Sequence, residues 1–205
     1  MTTIHSYGHA CFMITADNGY RIVFDPYETG SVPGVELPDI EAEAVYCSHE
    51  HADHNAAHRI RLSGKDLPCP FAVSYLNVPH DDQNGALRGM NRIHILEGCG
   101  LKIAHYGDLG RDLTEEETGR LRDCDAVMIP CGGHYTIDAS QAAEIIRRTD
   151  PKLAVLMHYR TDHSGYEVLM HVDDVLKQFP EAVKSGRSEV TIGECGGVIV
   201  LRPEQ

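Results

Sequence analysis

Apolar positions along this chain come in short runs broken by turn-forming residues, a pattern that predicts strands more than long helices. In the first half the runs are Ala10 to Thr15, Arg21 to Phe24 and Ala44 to Cys47. Asp17-Asn18-Gly19 between the first two predicts a tight hairpin turn, because Asn and Gly tolerate positive φ. Gly30-Ser31-Val32-Pro33-Gly34-Val35-Glu36-Leu37-Pro38 holds too many breakers for a regular element and predicts a loop. Ala56 to Leu62 is expected to be helical. Further strands are expected at Phe71 to Ser74, Arg92 to Glu97 and Leu101 to His105, the last two joined by the turn Gly98-Cys99-Gly100.

The second half changes rhythm. Thr114 to Arg122 opens on a good N-cap followed by three glutamates, which suit the positive end of a helix dipole. Asp125 to Ile129 predicts a strand. Asp138 with Gln141 makes a capping-box variant for a helix running to Thr149, and Asp150-Pro151 stops it. Lys152 to Met157 predicts a strand, Tyr166 to Gln178 a helix, and Glu189 to Ile192 with Gly197 to Leu201 a closing hairpin. Antiparallel runs early and β-α-β alternation later suggest an α/β (α+β) fold, a four-layer αββα sandwich in which two sheets face one another under outer helices.

At 205 residues the chain is expected to form a single domain spanning 1–205. Its 18 Lys and Arg against 31 Asp and Glu give a net charge of −13. Such a surface repels phosphate backbones and anionic lipid, so nucleic acid and membranes are poor partners. The 7 cysteines form no CxxC pair and several lie in apolar runs, which fits reduced thiols rather than a disulfide framework. The N-terminus shows no basic segment leading into an apolar one, and no apolar run reaches the ~20 residues of a membrane helix. These features predict a cytoplasmic protein; a homo-oligomer stays open.

Chemistry concentrates in Ser48-His49-Glu50-His51-Ala52-Asp53-His54-Asn55, directly after the apolar run Val45-Tyr46-Cys47. If the strand continues to His51, its period of two puts His49 and His51 on one side, where both imidazoles reach the same cation. Asp53 and His54 then approach from another direction as the chain turns. Glu50 does not make a metalloprotease HExxH, which needs two histidines at i, i+4 on a helix.

HxHxDH after a short apolar strand resembles the signature of the metallo-β-lactamase superfamily of metal-dependent hydrolases. Gly8-His9-Ala10-Cys11-Phe12 with Val23-Phe24-Asp25-Pro26-Tyr27 resembles its opening hairpin, and Leu101 to Gly110, with Gly107-Asp108, the segment carrying its bridging aspartate. Ile129 to Asp138 and Leu156-Met157-His158-Tyr159 resemble a compact branch related to ascorbate-6-phosphate lactonase. Together these segments span about three quarters of the chain.

The resemblance implies two divalent metal ions, Zn²⁺ first and Mn²⁺ or Fe²⁺ as alternatives. His49, His51 and His80 would hold one, Asp53, His54 and His158 the other, and Asp108 would bridge them; imidazole and carboxylate donors suit these cations. It implies a metal-dependent hydrolase that activates water on a small lactone, ester or phosphorylated substrate, with Asp53 and Asp108 catalytic. The alternatives are a phosphodiesterase or nuclease of the same fold, and a non-catalytic metal-binding sensor. A site of about +1 within an acidic protein would attract an anionic small molecule. Asp25 is expected to orient a histidine ligand through its free N–H. His9, His105 and His134 are candidate pocket residues, and Cys131 is expected to serve packing.

Overall fold

The computed structural model describes residues 1–204. The first half supplies β1 (Thr3–Gly8), β2 (Cys11–Thr15), β3 (Arg21–Phe24), β4 (Ile40–Ala42), β5 (Ala44–Tyr46) and β6 (Ile60–Leu62). It continues with β7 (Ala72–Pro79), β8 (Met90–Gly98) and β9 (Leu101–His105). Then follow α1 (Glu115–Leu121), β10 (Ala126–Pro130), α2 (Ala139–Thr149), β11 (Leu153–Met157), α3 (Val172–Val175), β12 (Val183–Lys184), β13 (Glu189–Thr191) and β14 (Gly197–Val200). One sheet has the order β13-β1-β2-β3-β5, a second β12-β14-β11-β10-β9-β8-β7, and β4 pairs with β6 apart from both.

The two large sheets pack face to face. Ile4, Phe12, Ile14, Ile22 and Phe24 of the first meet Leu96, Ile103, Ala126, Met128, Leu153 and Val155 of the second. Strand periodicity makes the other face of the second sheet equally apolar: Val127, Ile129, Ala154 and Leu156 point outward, beneath Leu121 of α1, Ala142 and Ile145 of α2, and Val175 of α3. Buried on both faces, β10 and β11 therefore read as unbroken apolar runs. Thr114 and Glu117 cap α1, and Asp138 and Gln141 cap α2, each pair in a reciprocal capping box. The arrangement is the expected sandwich, although one outer layer is not helical. Tyr27, Val32, Val35 and Leu37 from the long loop, with Ile40, Ala42 and Ile60 of the β4–β6 pair, cover Cys11 and Val23.

Four local expectations are corrected. Ala56 to Leu62 is one 3₁₀ turn (Ala57–Arg59) followed by β6, because Ile60 to Leu62 find parallel partners in Ile40 to Ala42. The helix expected from Tyr166 begins only at Val172; before it, the Met170 N–H donates to the Gly132 carbonyl and the Arg160 N–H to the Met170 carbonyl, bonds a helix would forbid. β13 and β14 do not form a hairpin. β13 pairs with β1 in the first sheet, while β14 lies parallel to β11 in the second. Finally, β5 stops at Tyr46, so His49 and His51 sit on an irregular turn and not on a strand. No helix of the described residues is long and apolar enough to cross a membrane.

Candidate metal centre

The site lies where six chain segments leave the carboxyl ends of strands. β1 delivers His9, β3 Asp25, β5 the turn with His49 to His54, β7 His80, β9 Asp108 and β11 His158. Loops at strand ends can aim side chains inward while the sheets hold their bases rigid. His9, Asp25 and His158 all take positive φ, between 47° and 55°, an uncommon backbone choice for residues with side chains. The tertiary fold holds them there; the His158 N–H, for instance, donates to the His9 carbonyl across the gap between the sheets. Gly107 shows how tightly the segments meet. It has φ +53°, and a Cβ there would lie 2.2 Å from Asn91 Oδ1 and 2.5 Å from Ser48 Cβ. The Asp108 N–H beside it donates to Asn91 Oδ1 at 2.9 Å, and Asn91 Nδ2 donates to the Tyr106 carbonyl.

All seven residues named from the sequence converge. His49, His51 and His80 bring ring nitrogens within 4.8 Å of one another; a carboxylate oxygen of Asp53 and ring nitrogens of His54, His158 and His9 converge within the same distance. Asp108 stands between the two groups. Its Oδ2 lies 3.2 Å from Nε2 of His158, 3.3 Å from that of His54, 3.4 Å from that of His80 and 4.0 Å from that of His49. One carboxylate oxygen cannot accept four good hydrogen bonds from four buried rings.

The tautomers sharpen the point. Ser48 Oγ donates to Asp25 Oδ2 at 2.6 Å, so its lone pairs face His49 Nδ1 at 2.9 Å, and that nitrogen must be the donor. His54 Nδ1 lies 2.8 Å from the same Asp25 oxygen and must also carry its hydrogen. In the neutral rings, Nε2 of both His49 and His54 is then a bare lone pair aimed at the centre. These Nε2 atoms, that of His158 and Asp108 Oδ1 are buried without hydrogen-bond partners among the described residues. Lone pairs crowded against a buried carboxylate, with their backs hydrogen-bonded, fit divalent cations.

Electrostatics agree. Burial alone would lower His54, yet Asp108 and Asp25 on either side raise it well above the ordinary histidine range: the centre calls for positive charge. Burial, and then the neighbouring His54, push His49 down to about 3; burial, and then His158, push His9 down to about 4. Both are neutral at physiological pH, the form a metal binds. Burial alone would raise Asp108 and Asp53. His158 and His54 around the former, and His9 and His54 around the latter, instead hold both below the usual carboxylate range.

Asp25 accepts from Ser48 N at 2.7 Å as well as from Ser48 Oγ and His54, and so fixes the His54 ring. His9 touches Asp53 Oδ2 through Nε2 at 3.1 Å. His105 is a core residue, its Nε2 2.9 Å from the Ala10 carbonyl and its ring stacked on Phe24. His134 lines a neighbouring cleft rather than the centre. Cys131 is buried against the Met157 carbonyl, and burial raises its thiol well above the ordinary range, consistent with packing. Arg88, Tyr135 and Tyr166, which no motif marked, line a cavity of about 300 Å³ with His51, Asp53, His80, Asp108 and His158. Tyr166 Oη donates to the Ser31 carbonyl at 2.6 Å and lies 3.3 Å from Asp53 Oδ2.

The chain resembles proteins of known kinship along nearly its whole length. It is 25% identical to a UPF0173 metal-dependent hydrolase of Hyperthermus butylicus, over 96% of this chain and 94% of the relative. A crystal structure from Thermotoga maritima, described as a candidate zinc-dependent hydrolase of the metallo-beta-lactamase superfamily, superposes with a TM-score of 0.77 at 28% identity, covering 98% of each chain. Igni18, a metallo hydrolase from Ignicoccus hospitalis, shares the fold with a TM-score of 0.69 at 18% identity, covering 100% of this chain and 96% of that one. Residues 3–158 match the family model of the beta-lactamase superfamily domain, from β1 through His158. With that match, this fold and the cluster at its strand ends, the chain belongs to the metallo-β-lactamase superfamily.

Proposed function

We propose that the chain is a hydrolase that holds two divalent cations and acts on a small lactone, ester or phosphorylated substrate. The observation that carries this reading is the ring of four imidazole Nε2 atoms within 4.0 Å of Asp108 Oδ2. His49, His51 and His80 would hold one cation, Asp53, His54 and His158 the other, and Asp108 would contact both. Zn²⁺ suits this nitrogen-rich set best, and Mn²⁺ or Fe²⁺ accept the same donors. Divalent cations there supply Lewis acidity towards a carbonyl or phosphoryl oxygen and make water a nucleophile near neutral pH.

The chain's own groups do the rest. Asp25 and Ser48 fix the rings of His54 and His49 so that only Nε2 faces the centre. Asp53 lines the cavity, and His9 holds it ionised and in place. From there it can accept a proton from the attacking water and return it to the leaving group. Burial and the nearby Asp53 raise the Tyr166 phenol well above its ordinary range, so it stays protonated at the cavity wall, with its hydrogen on the Ser31 carbonyl. At about 300 Å³ the cavity is of a size that suits a small molecule.

Elemental analysis of purified protein should find close to two divalent metals per chain. Chelation should abolish turnover of a panel of lactones, aryl esters and aryl phosphates, and Zn²⁺ or Mn²⁺ should restore it. Full hydrolysis by a metal-free preparation would end the proposal.

A further inference from the structure

Arg88 is a cation set into the wall of the cavity that the proposed hydrolytic role uses, and that role does not employ it. Its position is fixed from the backbone up. The Asp81 carboxylate accepts four main-chain N–H bonds, from Gln83, Gly85, Leu87 and Arg88, at 2.8 to 2.9 Å. The Gly89 N–H closes the same turn on the Gly85 carbonyl, and the Gly89 carbonyl accepts from the N–H of His80. The residue that offers its imidazole to the centre and the residue that offers a guanidinium are thus tied into one short, hydrogen-bonded loop.

The side chain is equally well placed. Cζ of Arg88 sits 3.9 Å over the Tyr135 ring, a distance at which a guanidinium stacks on an aromatic face. Stacking occupies the plane of the group and leaves its N–H edge for a ligand. The other half-buried arginines are all engaged: Arg21, Arg111 and Arg148 meet carboxylates, and Arg59 and Arg160 donate to the Leu37 and Leu169 carbonyls, whereas the Arg88 guanidinium has neither an ion-pair partner within 4.0 Å nor a hydrogen-bond acceptor among the described residues. In a chain of net charge −13, a half-buried guanidinium left without any acceptor is unexpected unless a ligand supplies one. It is also the only Lys or Arg among the residues lining this cavity.

We propose that Arg88, held over the face of Tyr135, recognises an anionic two-oxygen group of the substrate, a carboxylate or a phosphate, while the scissile bond lies at the His/Asp cluster. The inference rests on the hydrolase reading for the second half of that statement only. A planar fork with two parallel N–H groups matches such an anion bidentately, which a lysine cannot do. Arg88 and Tyr135 also line an adjoining cleft of about 230 Å³ with Leu87, His134 and Gln141, so the stack forms the partition between two cavities. A substrate longer than its anionic group would extend into that cleft.

The test compares 4-nitrophenyl acetate with mono-4-nitrophenyl glutarate, which carries a free carboxylate, on the metal-loaded protein. Wild type should favour the glutarate in kcat/KM. Arg88→Gln should cut that preference by tenfold or more, and Arg88→Lys should restore part of it. Arg120→Gln, an equal charge change at an exposed position on α1, should leave the preference intact. Calorimetric titration with benzoate, phenyl phosphate and neutral benzamide supplies a readout free of turnover. Both anions should bind better than benzamide, and Arg88→Gln should weaken them tenfold or more; the anion that loses more identifies the group. If metal-loaded wild type turns over no member of the lactone, ester and phosphate panel but Arg88→Gln still weakens the anions, the hydrolase reading falls and the anion site stands. No preference for anions in wild type, or the same preference in Arg88→Gln, would overturn the Arg88 proposal.

Discussion

Asp81 and Asp108 are both buried carboxylates, and their surroundings could hardly differ more. Asp81 accepts four backbone N–H bonds and closes the loop after β7. Asp108 accepts nothing from the backbone; Oδ1 has no partner, and Oδ2 faces imidazoles whose other nitrogens are already engaged at His49 and His54. The two loops touch, since the Gly110 N–H donates to the Pro79 carbonyl and a Cβ on Gly110 would stand 2.1 Å from the His80 carbonyl carbon. Two aspartates on neighbouring loops thus mark opposite uses of a buried charge. One is satisfied by its own chain and stabilises a turn. The other faces the centre with an oxygen to spare, and in the proposed function cations would complete it.

Exchanging the oxygen atoms of each tests the contrast directly. Asp108→Asn should give the largest effect, a loss of about 10²- to 10³-fold in metal-dependent hydrolysis, with metal content falling from two towards one per chain. Metal loading should raise the Tm of wild type, and raise that of the Asp108→Asn chain by less, because a ligand that binds the folded state stabilises it in proportion to its affinity. Asp25→Asn should rank second. If the amide oxygen keeps the Ser48 N–H, its NH2 replaces the oxygen that both the Ser48 hydroxyl and His54 Nδ1 use, so the His54 ring loses its anchor. Metal affinity, measured by competition with a chromophoric chelator, should drop about 10- to 100-fold. The smallest change in activity belongs to Asp81→Ala, which leaves four N–H groups without an acceptor. Tm should fall by about 4–8 °C while both metals remain; loss of metal without loss of stability would erase the distinction between the two aspartates.

Much of this was legible in the chain itself. The capping boxes at Thr114 and Asp138, the Asn18-Gly19 turn and the doubly buried strands Ala126–Pro130 and Leu153–Met157 follow from local rules, and the structure has them in place. Local rules failed where a distant partner decided the outcome. Residues 60–62 look helical until Ile40–Ala42 offers a strand edge, and residues 166–171 lose their helix to bonds with Gly132 and Arg160. The seven candidate ligands stand out because imidazoles and carboxylates crowd into a few short motifs, although the geometry expected for His49 and His51, two positions on one strand, proved to be a turn. Arg88, Tyr135 and Tyr166 carry no local signature: an arginine and two tyrosines are common surface residues, and only their shared cavity distinguishes them.

By itself the sequence determined which side chains could hold cations, how the strands alternate, and that the surface is strongly acidic. These are properties of residue type and spacing, and they exist before any contact forms. Only the tertiary structure decided that Asp108 is left without backbone donors while Asp81 takes four, that the rings of His49 and His54 are turned by Ser48 and Asp25, and that a lone guanidinium stands over the cavity. Each of these depends on atoms from separate strand ends meeting at hydrogen-bonding distance. Spacing along a chain does not encode such meetings until the two sheets have packed.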